Sequence, residues 1–138
     1  MALNISIGIT GRIKASILCL LLSGVVACSD ESNQILIPVQ HWNGTDIRVE
    51  THPNPPLPGM SEIVVIVTGL HGRPVQDLTV SLRANDSMPW VQAIQDGLIG
   101  VYRRAIDIGD GEEAVLQVML QHGKEKKVFL FPIKLSSA

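Results

Sequence analysis

The chain has 138 residues, which is the usual length of one domain, and it carries a formal net charge of −2. It contains no long run of basic residues that would neutralise phosphates, which argues against nucleic acid as a partner. Both cysteines, Cys19 and Cys28, lie in the first 28 residues. The later residues therefore cannot form a disulfide or a thiolate metal site, and we expect their fold to be stabilised by packing alone.

The N-terminal segment has the pattern of a secretory signal. Arg12 and Lys14 precede an apolar run from Ala15 to Val26, and small residues follow. The run is shorter than the about 20 apolar residues that a helix needs to span a bilayer. We therefore expect a cleaved signal rather than a membrane-spanning helix.

The end of this run, Val25-Val26-Ala27-Cys28, resembles a bacterial lipobox, in which a small residue precedes the lipidated cysteine. The resemblance implies that 1–27 is a signal peptide and that lipidated Cys28 becomes the mature N-terminus. The alternative is an ordinary signal peptidase site with an unmodified Cys28. Cleavage leaves nine basic and thirteen acidic residues, a net charge of −4. Residues 28–44 are mostly polar and are expected to form a tether that ends at the edge of the domain.

From Thr45 onward, short β-rich runs alternate with turn residues. Five β-branched residues, Ile63 to Val67, predict a central, buried strand. Leu78, Val80 and Leu82 alternate with polar residues that include Arg83, which predicts a half-exposed strand. The candidate strands are 46–51 (as an edge strand), 61–68, 77–84, 90–95, 98–108, 114–120 and 128–133.

Turn residues separate these runs about every ten positions. Four prolines between 53 and 58 favour a rigid loop, with a proline-rich ligand for a partner groove as the alternative. Asp96-Gly97 and His122-Gly123-Lys124 predict hairpins, and Pro132 predicts an edge position or a strand end. About seven short strands predict an all-β, immunoglobulin-like antiparallel β-sandwich over 45–138, with a small β-barrel as the main competitor.

No motif of a known enzyme class is present, and we expect a non-enzymatic protein. The acidic residues between 107 and 113 suit calcium, but a solvated turn explains them equally well. Thioether and imidazole groups suit copper. If copper binds, Met88 is the best single ligand, because it lies in a predicted turn. His52 and His71 would accompany it, because both also lie in predicted loops.

Several segments together resemble the FixH/YtkA-like family over about residues 58–134. They are Thr68-Gly69-Leu70-His71-Gly72-Arg73-Pro74-Val75, Leu78-Thr79-Val80-Ser81-Leu82, Ser87-Met88-Pro89 and Gly100-Val101-Tyr102. The resemblance implies an immunoglobulin-like sandwich outside the cytoplasmic membrane, associated with copper handling and respiratory oxidase assembly. The family's methionine-rich segment matches only at Met88-Pro89, since Trp90-Val91-Gln92 stands where a second methionine is expected.

Two functions follow as expectations. The first is a lipid-anchored lipoprotein of the bacterial envelope, facing the periplasm, that acts as an accessory module in copper handling or oxidase assembly. The second is a ligand-free structural or protein-binding sandwich, with Met88 and Trp90 in a contact patch. Both have the membrane and an envelope protein as partners, and copper is the one cofactor considered. Ser29, in place of the aspartate that favours inner-membrane retention in some bacteria, favours the outer membrane.

Overall fold

The computed structural model describes residues 34–97 and 100–137, so the predictions made for Cys28 and the signal lie outside the described residues. Within these ranges the chain forms nine β-strands, and a 3₁₀ helix at Leu70–Gly72 joins the third strand to the fourth. No helix in the described ranges has the length and apolar character needed to cross a membrane. The strands are β1 (Gln40–Trp42), β2 (Thr45–His52), β3 (Met60–Thr68), β4 (Leu78–Arg83), β5 (Val91–Gln92), β6 (Ile94–Gln95), β7 (Val101–Asp107), β8 (Glu113–His122) and β9 (Glu125–Lys134).

The strands form two antiparallel sheets that pack as a sandwich. One sheet has the order β1-β2-β3-β7-β6 and the other the order β5-β4-β8-β9. The series β2-β3-β7-β6 and β4-β8-β9 reproduce the two sheets of an immunoglobulin domain, in which strands A-B-E-D face strands C-F-G. The prediction of an all-β, immunoglobulin-like sandwich is therefore confirmed, and the two sheets are separate rather than closed into a barrel.

Strand β3 is the centre of the core, as its β-branched run predicts. Ile63, Val65 and Val67 point between the sheets and are fully buried. Leu82 and Phe131, on two strands of the opposite sheet, are also fully buried. These side chains interlock across the sandwich, and their removal from water is the main source of its stability.

Strand β2 is the edge of its sheet, as predicted, from Arg48 to His52, but a short strand covers its first residues. β1 pairs with its first residues, with Gln40 opposite Ile47 and Trp42 opposite Thr45. The sheet therefore already includes residues that precede Thr45. A three-residue strand is too short to show a periodic pattern in the sequence, which is why β1 was not predicted.

The run 90–95 forms two strands instead of one. β5 pairs with β4, whereas β6 pairs with β7 in the other sheet. The change of sheet occurs at Ala93, whose backbone N–H donates to the carbonyl of Val80 at 2.8 Å. Ala93 is small and buried, which lets the chain pass close to the core as it crosses between the sheets.

Strand β9 forms the edge of its sheet, as Pro132 predicts, and that edge is protected. The Gln40 side-chain amide donates to the carbonyl of Leu130 at 2.6 Å. The Trp42 ring packs edge-to-face on Phe129, with 6.1 Å between the ring centroids. Pro132 has no N–H to offer another strand. These features keep a further strand from pairing with β9.

Tyr102, the only tyrosine of the chain, is almost completely buried in β7. Burial, and secondarily the negative charge of Asp77, raise its pKa above the ordinary value of 10.0. Because the folded-state pKa is raised, the stabilisation is complete below the unfolded-state pKa and is lost as the pH rises through the folded-state pKa.

We expect the absorbance of phenolate to appear at higher pH in the native protein than in urea, and the free energy of unfolding to fall above about pH 10. Tyr102→Phe should remove the part of that fall that belongs to this hydroxyl. Equal titration midpoints for phenolate with and without urea would contradict the environment described for Tyr102.

Candidate functional site

The outer face of the four-stranded sheet carries an exposed apolar patch. Val115 pairs with Pro132 and Met119 with Val128, and these residues alternate with the core residues of β8 and β9. Leu130 lies on the same outer face, opposite Gln117. Val115, Val128 and Leu130 are 46%, 43% and 54% exposed. We call Val115, Met119, Val128, Leu130 and Pro132 the β8–β9 face.

The sequence of β9 explains why this patch forms. Phe129, Phe131 and Ile133 enter the core, whereas Val128 and Leu130 point outward between and beside them. An antiparallel sheet with one solvated face normally alternates apolar and polar residues. Strand β9 is apolar on both faces instead, and contiguous apolar surface of this kind marks interaction sites on soluble proteins.

A polar cluster borders the β8–β9 face on the side of β4. Arg83 donates through Nε to Gln117 Oε1 and through Nη2 to Asp86 Oδ1, both at 2.8 Å. Gln117 Nε2 also donates to Asp86 Oδ1, at 2.9 Å. The Arg83 guanidinium lies 4.4 Å from the centroid of the Trp90 ring, within cation–π range. The four side chains therefore hold one another in place.

Arg83 lies on the outer face of β4, as its alternation predicts, but its environment is not that of a free surface residue. Its side chain is only 21% exposed, because Trp90 covers it and two polar partners fix it. The cluster ties β8 to the turn after β4, in which Asn85 Oδ1 accepts a hydrogen bond from the Ser87 backbone N–H. Sequence reasoning recognised the turn but did not find the cluster.

The structure does not bring the three candidate copper ligands together. His52 ends β2 opposite Glu62, and His71 lies in the 3₁₀ helix beyond the other end of β3. Between the Glu62 and Thr68 pairs, the β2–β3 ladder advances six residues, which is about 20 Å at about 3.3 Å per residue. His52 and His71 therefore cannot bind the same ion.

Met88 lies in the turn between β4 and β5, at the end of the sandwich where His52 lies. It is half-buried, and its backbone N–H donates to the carbonyl of Asn85 at 3.2 Å, which closes the turn. Across 34–97 and 100–137, no three or more histidine, cysteine or acidic residues are placed to hold a metal ion. The copper site stays a prediction from the sequence.

Comparison with family models, with curated proteins and with solved structures gives no match for this chain. The resemblance to the FixH/YtkA-like family therefore stays a prediction.

Proposed function

We propose that this chain is a non-enzymatic accessory protein of the bacterial envelope. A lipid on Cys28 anchors it, with the outer membrane favoured, and the sandwich faces the periplasm. There it binds another envelope protein through the β8–β9 face. The observation that supports this proposal is the outward exposure of Val115, Val128 and Leu130 on two adjacent, firmly paired strands.

The composition of the surface supports protein binding. Stable protein interfaces combine an apolar centre with a polar rim, and tryptophan and arginine are enriched among the residues that contribute most to affinity. The β8–β9 face supplies the apolar centre, Gln117 lies within it opposite Leu130, and Arg83 and Trp90 lie at its β4 side. Because the Arg83 cluster is already ordered, little side-chain entropy is lost when a partner binds.

The placement of the candidate copper ligands favours the protein-binding function over copper handling. Copper needs a thioether brought close to at least one imidazole. Met88 lies in the turn after β4, a strand of the sheet that does not contain His52, and His71 lies about 20 Å from His52 by the ladder length. Copper handling and oxidase assembly remain what the family resemblance implies, and the apolar face is the surface through which such an assembly role would operate.

A photoreactive benzoylphenylalanine placed at position 130 of the full chain, expressed in a bacterium, tests the proposal. We expect irradiation to yield a discrete adduct with a second polypeptide, since position 130 is more exposed than positions 115 and 128 on this face. Val128→Asp should reduce the adduct roughly tenfold, because it places a charge in the apolar centre of the interface.

Two controls test whether the crosslink depends on the β8–β9 face. The same reagent at position 48, which is exposed on β2 in the other sheet, should give no adduct. Arg48→Asp, at an exposed position of β2 in the other sheet, should leave the adduct at position 130 unchanged. Equal adducts at positions 48 and 130, no adduct at position 130, or an adduct made only of two copies of this chain would contradict the proposal.

A further inference from the structure

The change of sheet at Ala93 leaves part of β7 without a neighbour. On one side, β7 pairs with β3 over its whole length, from Val101 to Asp107. On the other side, β6 pairs only with Tyr102 and Arg103. No strand within the described ranges pairs with Arg104–Asp107 on that side.

The direction of the backbone groups along this open edge follows from two hydrogen bonds. The Asp96 N–H donates to the carbonyl of Val101, so Val101 faces β6. The Ile108 N–H donates to the carbonyl of Gly59, so Ile108 faces the β3 side. Because the direction alternates along a strand, Ala105 and Asp107 direct their N–H and C=O groups outward. These groups form a short template for another strand.

The β7 edge differs from the β9 edge in what covers it. At β9, Gln40 occupies the Leu130 carbonyl and Pro132 removes an N–H. At the β7 edge, Ala105 is small and exposed, and no proline interrupts the strand. Of these two edges, the one at Arg104–Asp107 therefore has the room and the donors for strand addition.

A groove of about 450 Å³ runs beside this edge. Ile94, which is 64% exposed, and Ala105 give it apolar surface. Arg103 is already paired, with Asp96 and with Glu62. The lining residues are Glu62, Ile94, Gln95, Asp96, Arg103, Arg104 and Ala105.

Arg104 is the cation at this open edge that is available to a ligand. It is exposed, and within the described part of the chain its side chain makes no hydrogen bond or ion pair. By register it shares a face with Ile63, whereas Ala105 points to the opposite face with Glu62. A strand added at this edge would thus meet a positive charge on one face and an apolar hollow on the other.

We propose that the open edge of β7 binds an extended peptide segment of a partner protein by strand addition. The backbone of the peptide pairs with Ala105 and Asp107. An acidic side chain of the peptide meets Arg104, and the next side chain, which is apolar, enters the groove beside Ile94. Main-chain hydrogen bonds supply affinity in this mode of recognition, and the alternate side chains supply specificity. This site lies on the other sheet from the β8–β9 face, so the inference goes beyond the proposed function and does not depend on it.

The test uses the ¹⁵N-labelled full chain in detergent micelles and two capped eight-residue peptides. Both peptides alternate threonine and valine, and they differ only in a central glutamate or lysine. We expect the glutamate peptide to shift the amide resonances of Ala105 and Asp107 and to slow their hydrogen exchange. It should bind roughly fivefold more tightly than the lysine peptide, because one exposed ion pair distinguishes them.

Arg104→Glu should invert that preference, so that the lysine peptide binds more tightly than the glutamate peptide. An inversion cannot come from misfolding, which would weaken both peptides alike. A glutamate peptide with N-methyl groups on alternate amides should lose binding, since it cannot complete the ladder.

Three results would overturn the inference. They are unshifted Ala105 and Asp107 resonances at millimolar peptide, an unchanged preference in Arg104→Glu, and shifts confined to the β8–β9 face. The first result would mean that Arg104 prevents another strand from pairing with this edge, as charged side chains do on exposed edge strands.

Discussion

Val65→Asp is expected to unfold the sandwich at room temperature or nearly so. Val65 is fully buried in the central strand, between Val49 on β2 and Tyr102 on β7. An aspartate there is a buried charge without a partner, which costs several kcal/mol. A domain of this size has about 5–15 kcal/mol of net stability. Urea unfolding followed by tryptophan fluorescence measures the loss.

Thr79→Asp is the matched control for this variant. Thr79 is similar to valine in size, lies on the next strand in the chain and is exposed opposite Gln121. We expect its free energy of unfolding to change by about 0.5 kcal/mol or less. Arg83→Asp is unsuitable as a control, because it would break the contacts with Trp90, Asp86 and Gln117. Equal urea midpoints for Val65→Asp and Thr79→Asp would refute the burial of Val65.

Cys28→Ser is expected to abolish membrane attachment through lipid. Each buried methylene contributes about 0.8 kcal/mol, and two or more acyl chains anchor a protein firmly. A serine at this position cannot form the thioether to diacylglycerol. We therefore expect a soluble or an uncleaved form, which cell fractionation and the mass of the mature protein distinguish.

Cys19→Ser provides the comparison, because Cys19 lies within the expected signal and is discarded with it. That variant should be processed, lipidated and retained in the membrane fraction like the original chain. If Cys28→Ser were processed and membrane-bound to the same extent, the lipobox interpretation would be wrong, and with it the anchoring part of the proposed function.

Much of the fold could be predicted from the sequence because burial imposes a period on it. The β-branched run at Ile63–Val67 and the alternation of Leu78, Val80 and Leu82 both indicate which residues face the core. Strand β1 and the sheet change at Ala93 could not be found in this way. Both involve two or three residues, and their pairing depends on partners distant in the chain.

The features of the candidate site can be divided in the same way, into those that a local sequence pattern indicates and those that depend on distant strand pairing. Val128, Leu130 and Pro132 alternate with core residues, so the sequence carries the signal of two apolar faces on β9, although only a strand was predicted there. The contact of Arg83 with Gln117 joins residues 34 positions apart and required the register of β4 with β8. The separation of His52 from His71 likewise follows from the length of the β2–β3 ladder, which loop assignments alone do not supply.

Strand β1 covers part of the β9 edge, and this contact affects whether the protein aggregates. A shortened chain beginning at Thr45 would keep the core strands but lose Gln40 and Trp42. The carbonyl of Leu130 and the ring of Phe129 would then face water. Neighbouring molecules could stack along β9 up to the break at Pro132, and the shortened chain would tend to polymerise and precipitate. The few residues before Thr45 thus contribute to the solubility of the whole protein.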